Sequence, residues 1–427
     1  MKILHCADLH FANDEAVLTD IVKCCGYLLN TAEKERPDIA VLAGDLFDEK
    51  VSLDSPAVKS AVDFVVNLGS LAPVLLIRGT NSHDHDSLHI FKNIDTAYPI
   101  YVADSIEQVA WTSGGFKPFI PGVVGAVDGK DIIALISCLP SVSKAHILAG
   151  MSLDIESSNL HATDLLRDVF QAWGAVNREM RAKGIPTIVA GHGSLTGSEL
   201  STGQQLVGKD LEFGISDLTM ADADIVCLGH IHKAQRFKNI YYAGSITRLN
   251  FGETEEKGFW LHVIGSEVRS RFITTPARKM VTLDITSPDD LNSIDKEVLK
   301  DSLVRVRYEV NEDDLHKVND EAIKTALEKE GAVSVKIEKT VVAKQRVRAE
   351  GISKMRGLED KVRKWAETVG ETLPEGVLIK ALLLDKEPEE IISAINDSNS
   401  FDAEKVEAAG NINNREEGQT CDLFAQN

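Results

Sequence analysis

The chain has 427 residues, more than one ordinary hydrophobic core accommodates, which points to two or three domains. Apolar residues at 43% and charged residues at 26% exclude a wholly disordered or fibrous protein, and no apolar run approaches the roughly 20 residues that span a bilayer. The formal net charge of −20 argues against a nucleic-acid partner until its distribution is read: residues 366–427 carry 14 acidic against 4 basic residues, whereas residues 276–365 carry 18 against 19.

Taken in chain order, the first 275 residues alternate short apolar runs with helical periodicity, the pattern of a layered α/β fold. Ile3–Ala7 reads as a first strand and Glu15–Glu35 as a helix. Asp38–Ala43 reads as a second strand, Ser55–Leu68 as a helix and Pro73–Ile77 as a third strand. A fourth strand, Ile132–Ser137, precedes a long helix over Thr163–Lys183 and strands at Thr187–Ala190 and Asp224–Leu228. Ala234–Tyr242, Gly258–Ile264 and Glu267–Ile273 read as antiparallel segments. Beyond Thr275-Pro276, strands at Val281–Ile285, Leu303–Tyr308 and Val333–Ile337 alternate with helices at Asp289–Lys300 and Asp313–Glu330, which suits a small separate α+β domain. Amphipathic helices follow over Leu358–Val369 and Val377–Ile395, and the polar last thirty residues are expected to be disordered. The N-terminus lacks the apolar stretch and cleavage site of a signal peptide. The six cysteines show no CxxC spacing. A reducing cytoplasm is therefore the expected compartment.

The chemistry sits at strand ends. Asp8-Leu9-His10 follows the first strand, Gly44-Asp45-Leu46-Phe47-Asp48 the second, and Gly79-Thr80-Asn81-Ser82-His83-Asp84 the third. Gly191-His192-Gly193 and Gly229-His230-Ile231-His232 follow two later strands. In open α/β sheets ligands gather beyond the carboxyl ends of strands, so these five loops are expected to converge. Mixed His, Asp and Asn ligands suit Mn²⁺, Fe²⁺ or Zn²⁺ rather than an all-oxygen Ca²⁺ cage. There are ligands enough for two ions, and Asp45, with two oxygens, is the natural bridge. Any single histidine after a strand is more often structural, and His5, His89, His146, His161, His262 and His316 are read that way.

This ordered set, joined by Tyr242-Ala243-Gly244-Ser245-Ile246, Asn250-Phe251-Gly252-Glu253 and Lys257-Gly258-Phe259, resembles the calcineurin-like metallophosphoesterase superfamily and, within it, the SbcD-type nuclease subunits. The resemblance implies a four-layer α/β/β/α sandwich over residues 1–275, a small α+β capping domain over 276–340, a basic linker and helical partner-binding region over 341–397, and an acidic tail over 398–427. It implies one ion held by Asp8, His10, Asp45 and His232, and a second held by Asp45, a third-motif residue, His192 and His230. His83 would act on the leaving 3′ oxygen as proton donor or transition-state stabiliser. The family's third motif is Gly-Asn-His-Asp; here two extra residues leave either Asn81 or Ser82 as the ligand. Asp48 and Asp84 are candidate supporting residues, with Asp48 read as orienting His83.

The resemblance further implies a Mn²⁺-dependent double-strand 3′→5′ exonuclease and single-strand endonuclease, with Fe²⁺, Zn²⁺ or Mg²⁺ as other possible ions. Its partners would be DNA, a second copy of the chain, and an SbcC-type ABC ATPase gripped by the C-terminal helices; no membrane is involved. No Gly-x-x-x-x-Gly-Lys-Ser/Thr motif occurs, consistent with an ATPase on another chain. Ser245, Thr247 and Arg248 are candidate phosphate contacts near the ions, as are Arg346, Arg348, Lys344, Lys354 and Arg356 farther along. The rival readings are a phosphoesterase for small phosphate esters and a catalytically weak scaffold.

Overall fold

The computed structural model describes residues 1–122, 131–141, 155–202, 212–286, 290–291, 294–311, 319–342, 351–384 and 386–391. The chain divides into two compact units, Met1–Val342 and Ala343–Asn427.

In the first unit, β1 (Lys2–Cys6), β2 (Ile39–Ala43), β3 (Val74–Ile77) and β4 (Ile100–Ala103) run parallel, and β14 (Gly258–Ile264) with β15 (Val268–Thr274) extends the sheet antiparallel from β1. A seven-stranded sheet holds β12 (Gln235–Phe237), β13 (Ile240–Tyr242), β11 (Ile225–Gly229), β8 (Thr187–His192), β7 (Ile132–Leu139), β5 (Glu107–Thr112) and β6 (Gly115–Pro118), in that order. The central strands are continuous apolar runs, as expected of parallel strands covered on both faces. All five residues of β2 are buried.

Because side chains alternate along a strand, each sheet has two packing faces. Ile3, Ile39, Val41, Leu75 and Ile77 of the first sheet share a cluster with Ile136, Cys138, Ile188, Ala190, Ile225 and Cys227 of the second, so these faces meet. Leu4, Cys6, Ala40, Leu42 and Leu76 point the other way, against α1 (Glu15–Glu35) and α2 (Pro56–Gly69). On the far side, Leu166, Phe170 and Trp173 of α3 (Ile155–Ala182) cover Val189, Val226 and Leu228. The clusters are thus ordered helix, sheet, sheet, helix.

Local signals set the helix ends. The Asp14 carboxylate accepts from the amides of Ala16 and Val17 to start α1, and Arg36 closes it at φ 50°. Ser55 caps α2, with Pro56 at its first position. Strands β4, β5 and β6 were not expected from the sequence, because each is short and flanked by turn residues. The hairpin expected over Ala234–Tyr242 resolves into β12 and β13, with β13 also parallel to β11.

Three further strands, β16 (Lys279–Ile285), β17 (Ser302–Asn311) and β18 (Ala332–Val342), form a separate parallel sheet within the same unit. Val304, Val306, Tyr308 and Val310 on one face of β17 pack with Leu299 of α5 (Lys296–Leu299) and with Ile323 and Leu327 of α6 (Asp320–Lys329). Both helices are shorter than their periodicity implied: Asp295 and Asn319 accept backbone amides at their starts. The second unit contains α7 (Leu358–Val369) and α8 (Glu375–Leu384). No described helix is long and apolar enough to cross a membrane.

Candidate metal centre

Every strand singled out for its terminal loop delivers that loop to one place. Asp8 and His10 leave β1, Asp45 leaves β2, Thr80 leaves β3, His192 ends β8, and His230 and His232 leave β11. The turns are tight. Of the nine non-glycine residues with positive φ among those described, four are Asp8 (51°), His10 (50°), Asp45 (50°) and His230 (96°). Left-handed backbone at such residues costs roughly 1–3 kcal/mol and persists where the surroundings hold it, a common feature of functional sites. Gly79 permits the closest approach: a Cβ there would lie 2.1 Å from Asp45 Oδ1.

The side chains form overlapping groups of possible ion ligands: Asp8, His10 and His232; Asp45, His192 and His230; and His10, Asp48 and His83. His10 Nε2 lies 3.1 Å from His232 Nε2, inside the roughly 2.9–3.4 Å separating two imidazole nitrogens that share an ion at about 2.05 Å each. Asp45 joins the groups. Its Oδ2 is 3.2 Å from His192 Nε2 and 4.0 Å from His10 Nε2. The Asp8 carboxylate uses Oδ1 to accept the His230 amide at 2.8 Å, whereas its buried Oδ2 accepts no hydrogen bond.

These contacts require a cation. His192 Nδ1 donates to the Ala43 carbonyl at 2.8 Å, so a neutral His192 would aim its Nε2 lone pair at the Asp45 carboxylate. Without an ion a proton fills that role. Burial opposes the charge, but the Asp45 carboxylate overrides it and pushes His192 up to about 10. Asp45 is held well below the usual carboxylate range despite its burial, by His192 and then His10. Burial raises Asp8 to about 6 and lowers His230 to about 3, the latter helped by the neighbouring His192. A divalent cation between these groups fits the donor set, since it needs anionic carboxylates and neutral imidazoles. The Asp48 carboxylate, 3.3 Å from His10 Nδ1, fixes that ring with Nε2 turned inward.

Asp84 supports the second loop. It is fully buried and accepts four backbone amides: Leu46 and Phe47 at Oδ1, Asp45 and Gly79 at Oδ2. Burial and nearby Asp45 push its carboxyl up to about 7, and the amides pull the other way. His83 stands half-buried beside His10, ring centroids 4.8 Å apart, and its Nδ1 bonds the Asp48 carbonyl. Asp48 thus orients His83 through its backbone, and its carboxylate serves His10 instead.

The third motif differs from expectation. Asn81 and Ser82 are both exposed, and the hydrogen bonds to Asp45 come from Thr80, whose N–H and Oγ1 donate to Oδ1 at 2.7 and 2.8 Å. Counting from Gly79 instead of His83 would have found it. The expected phosphate contacts also move. Ser245 and Thr247 are buried, and the Arg248 guanidinium donates to the carbonyls of Glu253, Glu255, Ala277 and Arg278, tying the loop before β14 to the entry of β16. Arg346, Arg348 and Lys344 lie outside the described residues, as does the tail from 392.

Lys257 is a residue the sequence flagged only as part of a motif. It is 1% exposed, and its ammonium pairs with Glu253 at 2.7 Å and Glu255 at 2.8 Å while donating to the His232 carbonyl at 3.0 Å. A further buried group, His5, Cys227 and His262, lies between the sheets. There Ser270 Oγ, His262, His5 and the Leu228 carbonyl form one hydrogen-bonded chain, and burial keeps both rings neutral. That agrees with the structural reading of the two histidines.

Residues 1–234, more than half of the chain, match the family described as calcineurin-like phosphoesterase. The chain belongs to that family. As a calcineurin-like phosphoesterase it is a metal-dependent enzyme, and the His/Asp groups above are its candidate ion-holding side chains. This phosphoesterase is similar to the SbcD subunit of the nuclease SbcCD from Escherichia coli strain K12, 26% identical over 283 residues, which are 62% of this chain and 64% of that protein. It is also similar to the SbcD subunit of the nuclease SbcCD from Staphylococcus saprophyticus, 22% identical over 293 residues, 66% of this chain and 72% of the relative. A stretch of 92 residues is 39% identical to the DNA double-strand break repair protein Mre11 of Aeropyrum pernix, 20% of this chain and 22% of that one. The phosphoesterase thus spans less than two thirds of the length of its Escherichia coli relative.

Proposed function

We propose that this phosphoesterase is the nuclease subunit of an SbcCD-type DNA-processing complex, cleaving phosphodiesters with two Mn²⁺ ions as a double-strand 3′→5′ exonuclease and single-strand endonuclease. The observation that carries the reading is the position of Asp45 Oδ2, which faces His192 of one group and His10 of the other. Asp8, His10, Asp45 and His232 would hold one ion; Asp45, His192 and His230, with the third motif, the other. When bound, the ions supply the clamp on attacking and leaving oxygens and absorb the charge that builds on an in-line phosphoryl transfer.

The protein's own part is orientation and proton handling. Carbonyl and carboxylate partners on the outer nitrogens of His192 and His10 hold both rings facing inward. His83, anchored at Nδ1 by the Asp48 carbonyl and open to solvent on one side, keeps Nε2 available to protonate the leaving 3′ oxygen.

The relatives named as SbcCD nuclease subunits support DNA as substrate and an ABC-type ATPase as partner. In the second unit, Trp365 and Val369 of α7 and Val377, Ile379, Leu382 and Leu384 of α8 are exposed large apolar residues, which supports docking of these helices on that partner. We assign residues 276–340 as a capping domain and the working form as a dimer of this chain.

The deciding experiment sets linear and nicked DNA with Mn²⁺ against p-nitrophenyl phosphate and cyclic nucleotides. Degradation of DNA is the expected result. Turnover of the small esters alone would overturn the nuclease reading.

A further inference from the structure

We infer that Thr80 is a positioning residue for the carboxylate that bridges the two ions: it captures one oxygen of Asp45 and thereby leaves a single oxygen, Oδ2, to face both ion-holding groups. The assignment deepens the two-ion reading of the site and rests on it.

Three observations carry it. Thr80 is 8% exposed, and its backbone N–H and its hydroxyl converge on the same atom, Asp45 Oδ1, at 2.7 and 2.8 Å. The other carboxylate oxygen, Oδ2, is the one directed at His192 Nε2 and His10 Nε2. Gly79 brings the backbone so near that a Cβ would lie 2.1 Å from Oδ1 and 2.2 Å from the Asp45 amide, so the Thr80 amide reaches the carboxylate without an intervening side chain. A carboxylate rotating freely about its last bond would exchange its oxygens between the two groups. Two donors on one oxygen remove that freedom and set the bridge. They also draw charge from Oδ1, so Oδ2 is the stronger ligand.

Asn81 and Ser82, the residues inserted before His83, are exposed and leave this arrangement to Thr80. The hydroxyl matters beyond the backbone bond, because any residue at this position supplies the amide whereas only Thr or Ser also supplies an O–H at that reach.

The test is Mn²⁺ titration by isothermal calorimetry on the full-length chain, without substrate, so that it reads ion binding and not cleavage. Thr80→Val, which keeps shape and loses the hydroxyl, is expected to weaken at least one of two binding steps by roughly 10- to 100-fold, the usual cost of removing a group that orients a metal ligand. Thr80→Ser should restore affinity to within a few-fold of wild type. Asn81→Ala and Ser82→Ala should leave both steps unchanged. Thermal melting of each variant with chelator present identifies any that fails to fold, and Thr80→Ala then replaces Thr80→Val. Unchanged affinities in the hydroxyl-free variant, or a lost step in Asn81→Ala or Ser82→Ala, would overturn the assignment while leaving the two-ion centre standing. A wild-type chain that takes up no more than one ion would remove the two-ion reading and this assignment together. Since no DNA is present, neither result depends on the nuclease reading.

Discussion

Lys257 Nζ, buried inside the phosphoesterase unit, donates to the backbone carbonyl of His232 at 3.0 Å and so ties the β14 end of the chain to the loop that follows β11. The same ammonium neutralises Glu253, itself 1% exposed. Removing one partner of such a pair leaves an uncompensated buried charge, at a cost of about 3–5 kcal/mol. Lys257→Met should therefore lower urea stability by that order. Adding Glu253→Gln should recover part of the loss, and a double variant no better than the single would contradict the pairing.

Asp84 is the organiser of the Asp45 loop. Truncation to Ala strands four buried amides, each worth about 1–3 kcal/mol when unsatisfied. We expect Asp84→Ala to lose several kcal/mol of stability and the capacity to hold two ions, with Asp84→Asn intermediate because one accepting oxygen survives. Chemical denaturation and metal analysis of the same samples read both effects.

His83 and Asp45 should separate cleanly. His83→Gln is expected to reduce cleavage by roughly 10²- to 10⁴-fold, the usual contribution of a general acid, with metal content and DNA affinity nearly intact. Asp45→Ala should lose both ions. If metal content collapses in His83→Gln, its role is ligation and not proton transfer.

Metal affinity should rise with pH. In the metal-free protein His192 is raised to about 10, so its stabilising proton is fully present below the unfolded value of 6.5 and is lost as pH climbs through 10. Asp8, raised to about 6, contributes in the same direction at lower pH. The chelated protein should therefore lose thermal stability between pH 7 and 9. An ion must displace the His192 proton, so Mn²⁺ affinity should increase over that window by up to about tenfold per pH unit. Calorimetry in buffers of different ionisation enthalpy counts the protons released; a flat profile would refute the His192–Asp45 pairing.

Periodicity and strand-end chemistry were enough to locate most elements and most candidate ligands. The Glu15–Glu35 helix emerged at its observed bounds, since an Asp cap, an amphipathic stripe and a following Pro are all local. Asp8, His10, Asp45, His192, His230 and His232 could be named because each follows a buried apolar run that has only one way to sit in a sheet. Short edge strands such as β4 and β6 escaped, because their pairing partner, not their composition, makes them strands.

What required the folded chain was everything set by distances between loops far apart in sequence. Whether the third motif acts through Asn81, Ser82 or Thr80 depends on where Gly79 meets Asp45, a close approach between two loops that no spacing rule encodes. Arg248 looked like a phosphate contact until its guanidinium was seen capping four carbonyls. Residue type states what a side chain is able to bond, but its actual partner is chosen by packing, because a buried donor takes whichever acceptor the surrounding core brings within reach.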